Sequence, residues 1–505
     1  MSSAPPSPRP PGSPWRHALE GALSVTTAVT AMAIAAWAAL TVLGAGAIAP
    51  VSRLVPMMVS MAVGGGVTVE SSPSAESADG GGLGGGLGGL LGGLGGGGGL
   101  SLGLTGEAAV TPLTLTFLGT AVLAIGFFRP LRRRQRPAAA LLWARCGGAL
   151  LTAAVVLPIL AGMAHGTARL PESVTDRFGK GASSGALSRF GGGGGGGLTK
   201  GLSSIVFETD AAATAFLGLL WVGAVLALGC LAARRTTLPR PLALSRLRLK
   251  WNAVTSTVSG IFAVLCCSTL VIALLAGAAA LTGRDQAAKA AGLLLLLGPN
   301  LIGVLLTAGF GTSWEAGVHR LQAEGGGGML GMLGGAAQGD AAGTDKSFDI
   351  GGWSGAGVPL WLIAMALMAI LLTVAGYVVS ARTPARTPRE DSEGLLDRHA
   401  EIALRTGIAV AVSALFLPLL TQGSVRIGIS IMGNEMGGMT AGLDGSAGLS
   451  ALTGFVLAFL ASYAGSRLHS GRARRKGLVP QPPGGTSRRP AATRPATRVP
   501  SDSAL

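Results

Sequence analysis

The chain has 505 residues, of which 49% are hydrophobic and only 12% charged, and its formal net charge is +16. That balance excludes a string of ordinary soluble domains. Apolar runs repeatedly reach the roughly 20 residues that cross about 30 Å of hydrocarbon. The basic excess does not indicate nucleic acid either, because its clusters form no folded basic surface with stacking aromatics.

In chain order, residues 1–14 are Pro/Ser-rich and cannot bury a core, which predicts disorder. The first apolar run covers about 18–49. It ends in Ala47-Ile48-Ala49, like a signal-peptidase site, but far exceeds the 7–15-residue core of a signal peptide. An uncleaved signal anchor is expected. Residues 51–63 carry Arg53 and Pro56 and suit an interfacial segment; "GGGVTVE" then alternates like a strand. Further spans are predicted at about 110–128, 138–164, 211–233, 251–281, 358–380, 402–421 and 449–465. A Pro299-Asn300 pair interrupts one more run at about 290–310. The tail, 471–505, is basic, rich in Pro, Ser and Arg, and expected to be disordered.

Glycine-rich loops at about 80–104, 179–201 and 325–356 separate these runs. They cannot form a phosphate-binding P-loop. Lys180 is followed by Gly181 and Lys200 by Gly201, where that motif needs Ser or Thr on the metal. They read as flexible external linkers.

Nine full spans would export the basic segments that short cytoplasmic loops normally collect. If residues 290–311 instead enter and leave on one side, the cytoplasmic segments hold 28 of the 39 Lys/Arg and 7 of the 23 Asp/Glu. The expected fold is therefore an all-α polytopic integral membrane protein. It has about eight transmembrane helices plus one Pro-broken re-entrant or ninth hydrophobic segment, and both termini are cytoplasmic. Its helical domain covers 15–470. Four times a span leads into a proline-marked shorter piece, at Pro50, Pro158, Pro299 and Pro418, and then into an external loop. The expected unit is a helical hairpin with an insert, repeated four times.

The segments "RHALEGAL", "GGGVTVE", "TPLTLTFLGTAVLAIGFFRPLRRR", "LLLLLGPNLIGVLLTAGFGTSWEAG" and "GVPLWLIAMALMAILLTVAGYVVSARTPAR", in that order, resemble the streptophobe family of hydrophobic actinobacterial membrane proteins. The resemblance extends over about 15–470. It implies a multi-pass plasma-membrane protein and supplies no catalytic residues.

No nucleophile–base constellation, zinc spacing or G-x-S-x-G elbow occurs. Cys146, Cys230, Cys266 and Cys267 all lie in apolar runs and read as small core residues; His165, His319 and His399 are scattered. No carboxylate lies near the middle of a span, which argues against proton coupling. Arg145 and Arg405 are expected to snorkel to the inner face, and Trp314 with Glu315 to mark the outer interface. Small residues at Ala403, Gly407 and Ala411 predict close intramolecular helix packing. The polar candidate site is Pro299 and Asn300: proline frees a helical carbonyl and Asn offers both donor and acceptor. The expected function is non-enzymatic, structural or accessory, without cofactor or metal. The lipid bilayer is the partner, with anionic lipid at the basic segments. The competing expectation is a transporter or channel for a small solute that uses the Pro299-Asn300 break.

Overall fold

The computed structural model describes residues 14–71, 102–132, 138–169, 204–234, 237–280, 285–322, 346–349, 354–355, 358–383, 396–431 and 434–475. The expected terminal disorder and most of the three glycine-rich loops fall outside the described residues. Among those described, nine helices are long and apolar enough to cross a membrane. The fold is a polytopic helical membrane bundle.

The long helices are α1 (Pro14–Leu43), α3 (Leu113–Arg132), α4 (Ala139–Met163), α5 (Ala211–Ala232), α6 (Arg246–Ala280), α7 (Asp285–Ala308), α8 (Leu360–Arg382), α9 (Arg398–Thr421) and α10 (Ala447–Arg475). A shorter helix, α2 (Val51–Ala62), follows α1 and confirms a separate short element where an interfacial segment is predicted. The long helices are apolar on nearly every side, as expected of segments solvated by lipid and by one another. Their starts are set locally. Asp210, for example, accepts hydrogen bonds from the N–H groups of Ala212 (2.8 Å) and Ala213 (3.0 Å) and so caps α5.

The loops add a feature of which the sequence reveals only one strand. Strands β1 (Val67–Ser71), β2 (Leu102–Val110), β3 (Gly166–Arg169), β4 (Ser204–Thr209), β5 (Trp314–Gln322) and β6 (Lys346–Asp349) form part of one sheet. A minor pair, β7 (Ser354–Gly355) and β8 (Val358–Pro359), stands apart, and β9 (Gly423–Ile431) with β10 (Asn434–Gly445) completes the main sheet. Its order is β3-β4-β1-β2-β9-β10-β5-β6, with every neighbouring pair antiparallel. All four helix-to-helix loops therefore lie on one side of the bundle, and α1 starts and α10 ends on the opposite side.

The register makes this sheet two-faced. One row runs Glu208, Thr68, Glu107, Arg426, Thr440, His319 across six strands. The alternate rows hold Phe207, Val69, Gly106, Ile427 and Met439, and Thr209, Val67, Ala108, Val425, Ala441 and Val318. Val67, Phe207 and Ala168 on the second face pack with Leu54 and Met61 of α2, so this face turns toward the bundle.

The sheet order also exposes a duplication. The first half gives β3-β4-β1-β2 and the second β9-β10-β5-β6, the same arrangement of a second hairpin beside a first, joined at β2–β9. Residues 145–160 and 405–420 share an Arg, a Gly, two Ala, a Leu, a Pro and a further Leu in the same places. The repeat is thus two halves of two hairpins each. Only the first hairpin of each half carries an inserted helix, α2 or α7. Pro158 and Pro418 lie inside the continuous helices α4 and α9, which corrects the expectation of an insert in all four.

Helix α7 resolves the parity question. It runs unbroken through Pro299, so the predicted break is not one. The ring removes a single ladder bond and the surrounding helices hold the rest. Its neighbours are all sheet-side ends: Ala39 and Leu43 of α1 beside Gly292, Leu417 and Thr421 of α9 beside Gly303, and Ala364 of α8 beside the following Gly309. Helix α6, by contrast, starts on the far side. There Arg248 Nε donates to Cys230 O (2.9 Å), Asn252 Nδ2 to Leu231 O (2.7 Å) and Arg382 Nη1 to Thr257 Oγ1 (3.3 Å). Thus α6 makes the crossing, while α7 folds back along it with Gly298 against Thr269 and lies over the sheet-side helix ends. Eight crossings plus one same-side helix is the arrangement that a single sheet permits.

Tight crossings hold the bundle. A methyl group at Gly21 would overlap the Arg145 carbonyl, and one at Gly148 the Ala18 carbonyl, so α1 and α4 meet backbone to backbone. Gly407 packs against Phe455 of α10, as the small-residue spacing predicts. Gly148→Leu is expected to cost about 1–3 kcal/mol and lower the thermal midpoint in detergent. Gly147→Leu, with nothing within 4 Å of its added carbon, should not. Size-exclusion profiles after a heating series distinguish the two.

Candidate functional site

Asn300 lies one residue after Pro299 and is 8% exposed. Its Oδ1 accepts from the backbone N–H of Leu113 (3.0 Å), and its Nδ2 donates to Thr111 O (2.8 Å). Leu113 is the first residue of α3, so Asn300 supplies an acceptor to one of the four N–H groups that a helix start leaves open. It also ties down the carbonyl of the residue that follows β2. One amide thereby fastens α7 of the second half to the β2–α3 junction of the first. Thr111 Oγ1 continues the link by donating to Leu420 O at the end of α9.

Trp314 completes the junction. It is fully buried, and its indole Nε1 donates to Thr307 Oγ1 at 2.9 Å. The expected interfacial anchor is instead a plug at the start of β5. Its ring lies 3.0 Å from the place a Gly445 side chain would occupy, which keeps that position glycine. Glu315 is exposed on the sheet. Asn300, Thr111, Thr307 and Trp314 thus join α7, β2, β5 and α9 with polar side chains used on protein partners. The arrangement is a clasp: it positions the sheet on the bundle and brings no nucleophile and base together. Pro299 sits within the clasp helix, before Asn300.

Two other polar groups lie at the far side. Arg145 is 2% exposed and does not snorkel. Its Nη1 meets Glu20 Oε2 at 2.9 Å, its Nη2 donates to Gly126 O at 3.0 Å, and its guanidinium lies 4.9 Å from the Phe127 ring centre. His17 Nδ1 stands 3.4 Å from the same Glu20 oxygen. Burial between α1, α3 and α4 is tolerated because the charge is matched by a carboxylate and a carbonyl. Arg405, the equivalent residue of the second half, pairs with Glu401 and donates to Lys250 O (3.3 Å). In the second group, His399 Nδ1 lies 2.5 Å from Ser466 Oγ, and Ser470 Oγ lies 3.5 Å from Nε2. Ser466 is completely buried between α9 and α10, so this Ser–His contact presents no nucleophile to a substrate. Both contacts went unforeseen because their partners lie on different helices. The only sequence signal is that Glu20, Arg145, His399 and Ser466 all fall a few turns or less from basic helix ends.

Among the described residues no three His, Cys, Asp or Glu side chains converge as metal ligands. His165 lies in the link between α4 and β3, His319 on β5 and His399 on α9, and the four cysteines are unbridged. Compared with known proteins, the chain matches no family model, and no curated protein or solved structure matches it.

The clasp predicts that Asn300→Leu strands a buried N–H and a half-buried carbonyl. The expected loss is about 1–3 kcal/mol, read as a lower thermal midpoint in detergent. An unchanged midpoint would mean that the amide contributes nothing to stability.

Proposed function

We propose that this chain is a streptophobe-type, multi-pass plasma-membrane protein with a non-enzymatic, structural or accessory role. On this reading its helices hold an extracellular platform of four β-hairpins carrying the glycine-rich loops, and both termini are cytoplasmic. The observation that carries the proposal is the clasp. The polar group best placed to line a solute path, Asn300, spends both its donor and its acceptor on fixing the sheet to the bundle.

The orientation rests on charge. Arg16, Arg129, Arg240, Arg246, Lys250, Arg382, Arg398 and Arg472 all sit at or beyond the helix ends opposite the sheet, the distribution of a cytoplasmic face. The same side offers anionic lipid headgroups a basic rim.

The test is thiol labelling of intact cells with a membrane-impermeant reagent, in a variant whose four cysteines are alanine. His319→Cys on the sheet should label and Leu396→Cys between α8 and α9 should not; the reverse pattern overturns the orientation. Asn300→Cys should stay unlabelled. Labelling there would reveal an aqueous path and replace this proposal with a transporter or channel working at Pro299 and Asn300.

A further inference from the structure

The sheet's bundle-facing side is treated differently in the two halves. In the first half α2 lies beneath it, and Val67, Ala168 and Phe207 are 2%, 6% and 3% exposed. The corresponding helix of the second half, α7, has moved away to span the helix ends and make the Asn300 clasp. Among the described residues, nothing takes its place over the surface it would have covered. Val318, Val425, Ile427 and Met439 on that face are 40%, 38%, 38% and 46% exposed. They are neighbours: Val425 and Val318 both pair with Ala441, and Ile427 pairs with Met439.

We propose that this bare shelf binds the acyl chains of membrane lipid in the leaflet on the sheet side. Three observations select lipid as the occupant. First, the shelf shares a face with buried Trp314, so it turns toward the bundle and not toward bulk water. Secondly, it continues the bundle's own lipid-facing surface. Leu419 and Leu420, in the last turn of α9, are 52% and 44% exposed, and β9 begins at Gly423 directly afterwards. The chain between Leu420 and Val425 carries no charged residue. Thirdly, the opposite face of the same strands carries exposed Ser424, Arg426, Asp444 and His319. The second half of the sheet is therefore an interfacial element, apolar below and polar above. In the first half, α2 already fills the space that lipid takes in the second.

The experiment places a single cysteine at Ile427 or Met439 on the shelf, or at Thr440 on the opposite face, in the cysteine-free background. Each is labelled with an environment-sensitive nitrobenzoxadiazole dye and reconstituted in phosphatidylcholine vesicles. Phospholipid carrying an acyl-chain nitroxide should quench the two shelf positions roughly threefold more than Thr440, with blue-shifted emission. Aqueous iodide should quench Thr440 preferentially. Preferential iodide quenching at 427 and 439 overturns the proposal. So does protection from both quenchers, whether a second copy (seen as Ile427→Cys cross-linked dimers) or another segment of the same chain covers the shelf. Should the cysteine-free variant fail to fold, the unmodified chain in vesicles containing a diazirine-acyl phospholipid provides the same decision. Photoadducts within 423–445 support lipid binding, and adducts confined to the helices overturn it.

Discussion

A hydrogen-bonded antiparallel sheet cannot be divided between the two sides of a bilayer, because an unpaired strand edge in hydrocarbon leaves backbone groups without partners. Here one eight-stranded sheet gathers hairpins from all four loops, and that constraint governs the rest of the chain. It fixes the sidedness of every helix connection. It also demands an even number of crossings between β4 and β5, where the sequence supplies three long apolar helices. Since α5 must leave the sheet side and α6 must return to it, α7 is left to remain there. Its neighbours at Leu43, Thr111, Thr421 and Ala364 agree.

Duplication followed by divergence explains how such a helix arises. The halves share the strand order and the seven matched residues between 145–160 and 405–420, from Arg145 and Arg405 to Pro158 and Pro418 and beyond. Yet α2 stays under its own sheet, whereas α7 reaches across the junction to the first half. The change converts a local covering element into the link between halves: Asn300 of one meets Thr111 and Leu113 of the other. The β2–β9 pairing seals the same junction above, from Leu102 opposite Ile431 to Val110 opposite Gly423. Backbone pairing and side-chain clasp thus act on the same seam, one in the sheet and one at the helix ends.

How much of this was legible in the sequence follows from where each signal resides. The helices were, since a run of apolar residues is its own evidence: the predicted 138–164 became Ala139–Met163, and 211–233 became Ala211–Ala232. Charge counting also favoured eight crossings, with residues 290–311 entering and leaving on one side, without any knowledge of the sheet. The strands were not legible beyond "GGGVTVE". In β10, "NEMGGMTAGLDG", glycines take the places where alternation would show, and the partners of β9 are the next strand of its own hairpin and β2, near the start of the chain. The candidate site was half legible. Asn after Pro marked a polar group at depth, but nothing near Asn300 indicates that its partners are Thr111 and Leu113. The burial of Arg145 was hidden for the same reason, as Glu20 belongs to another helix.

The two equivalent arginines show how context decides the physics of a repeated residue. Arg145 is enclosed by α1, α3 and α4, where α1 and α4 meet at Gly21 and Gly148 with no room for a side chain between them. A charge in that crossing needs a matched partner, and Glu20 provides it from the facing helix. Arg405 meets a looser setting, because α6, the counterpart of α1, has swung outward to form a hairpin with α7. Its partner is Glu401, one turn earlier on its own helix, and both side chains are more exposed than Arg145. The outward swing of α6, the transfer of α7 to the seam and the bare shelf beneath β9 and β10 are therefore linked consequences of one rearrangement. Once α7 serves the other half, neither the sheet above it nor the helix before it can keep the packing that the first half retains.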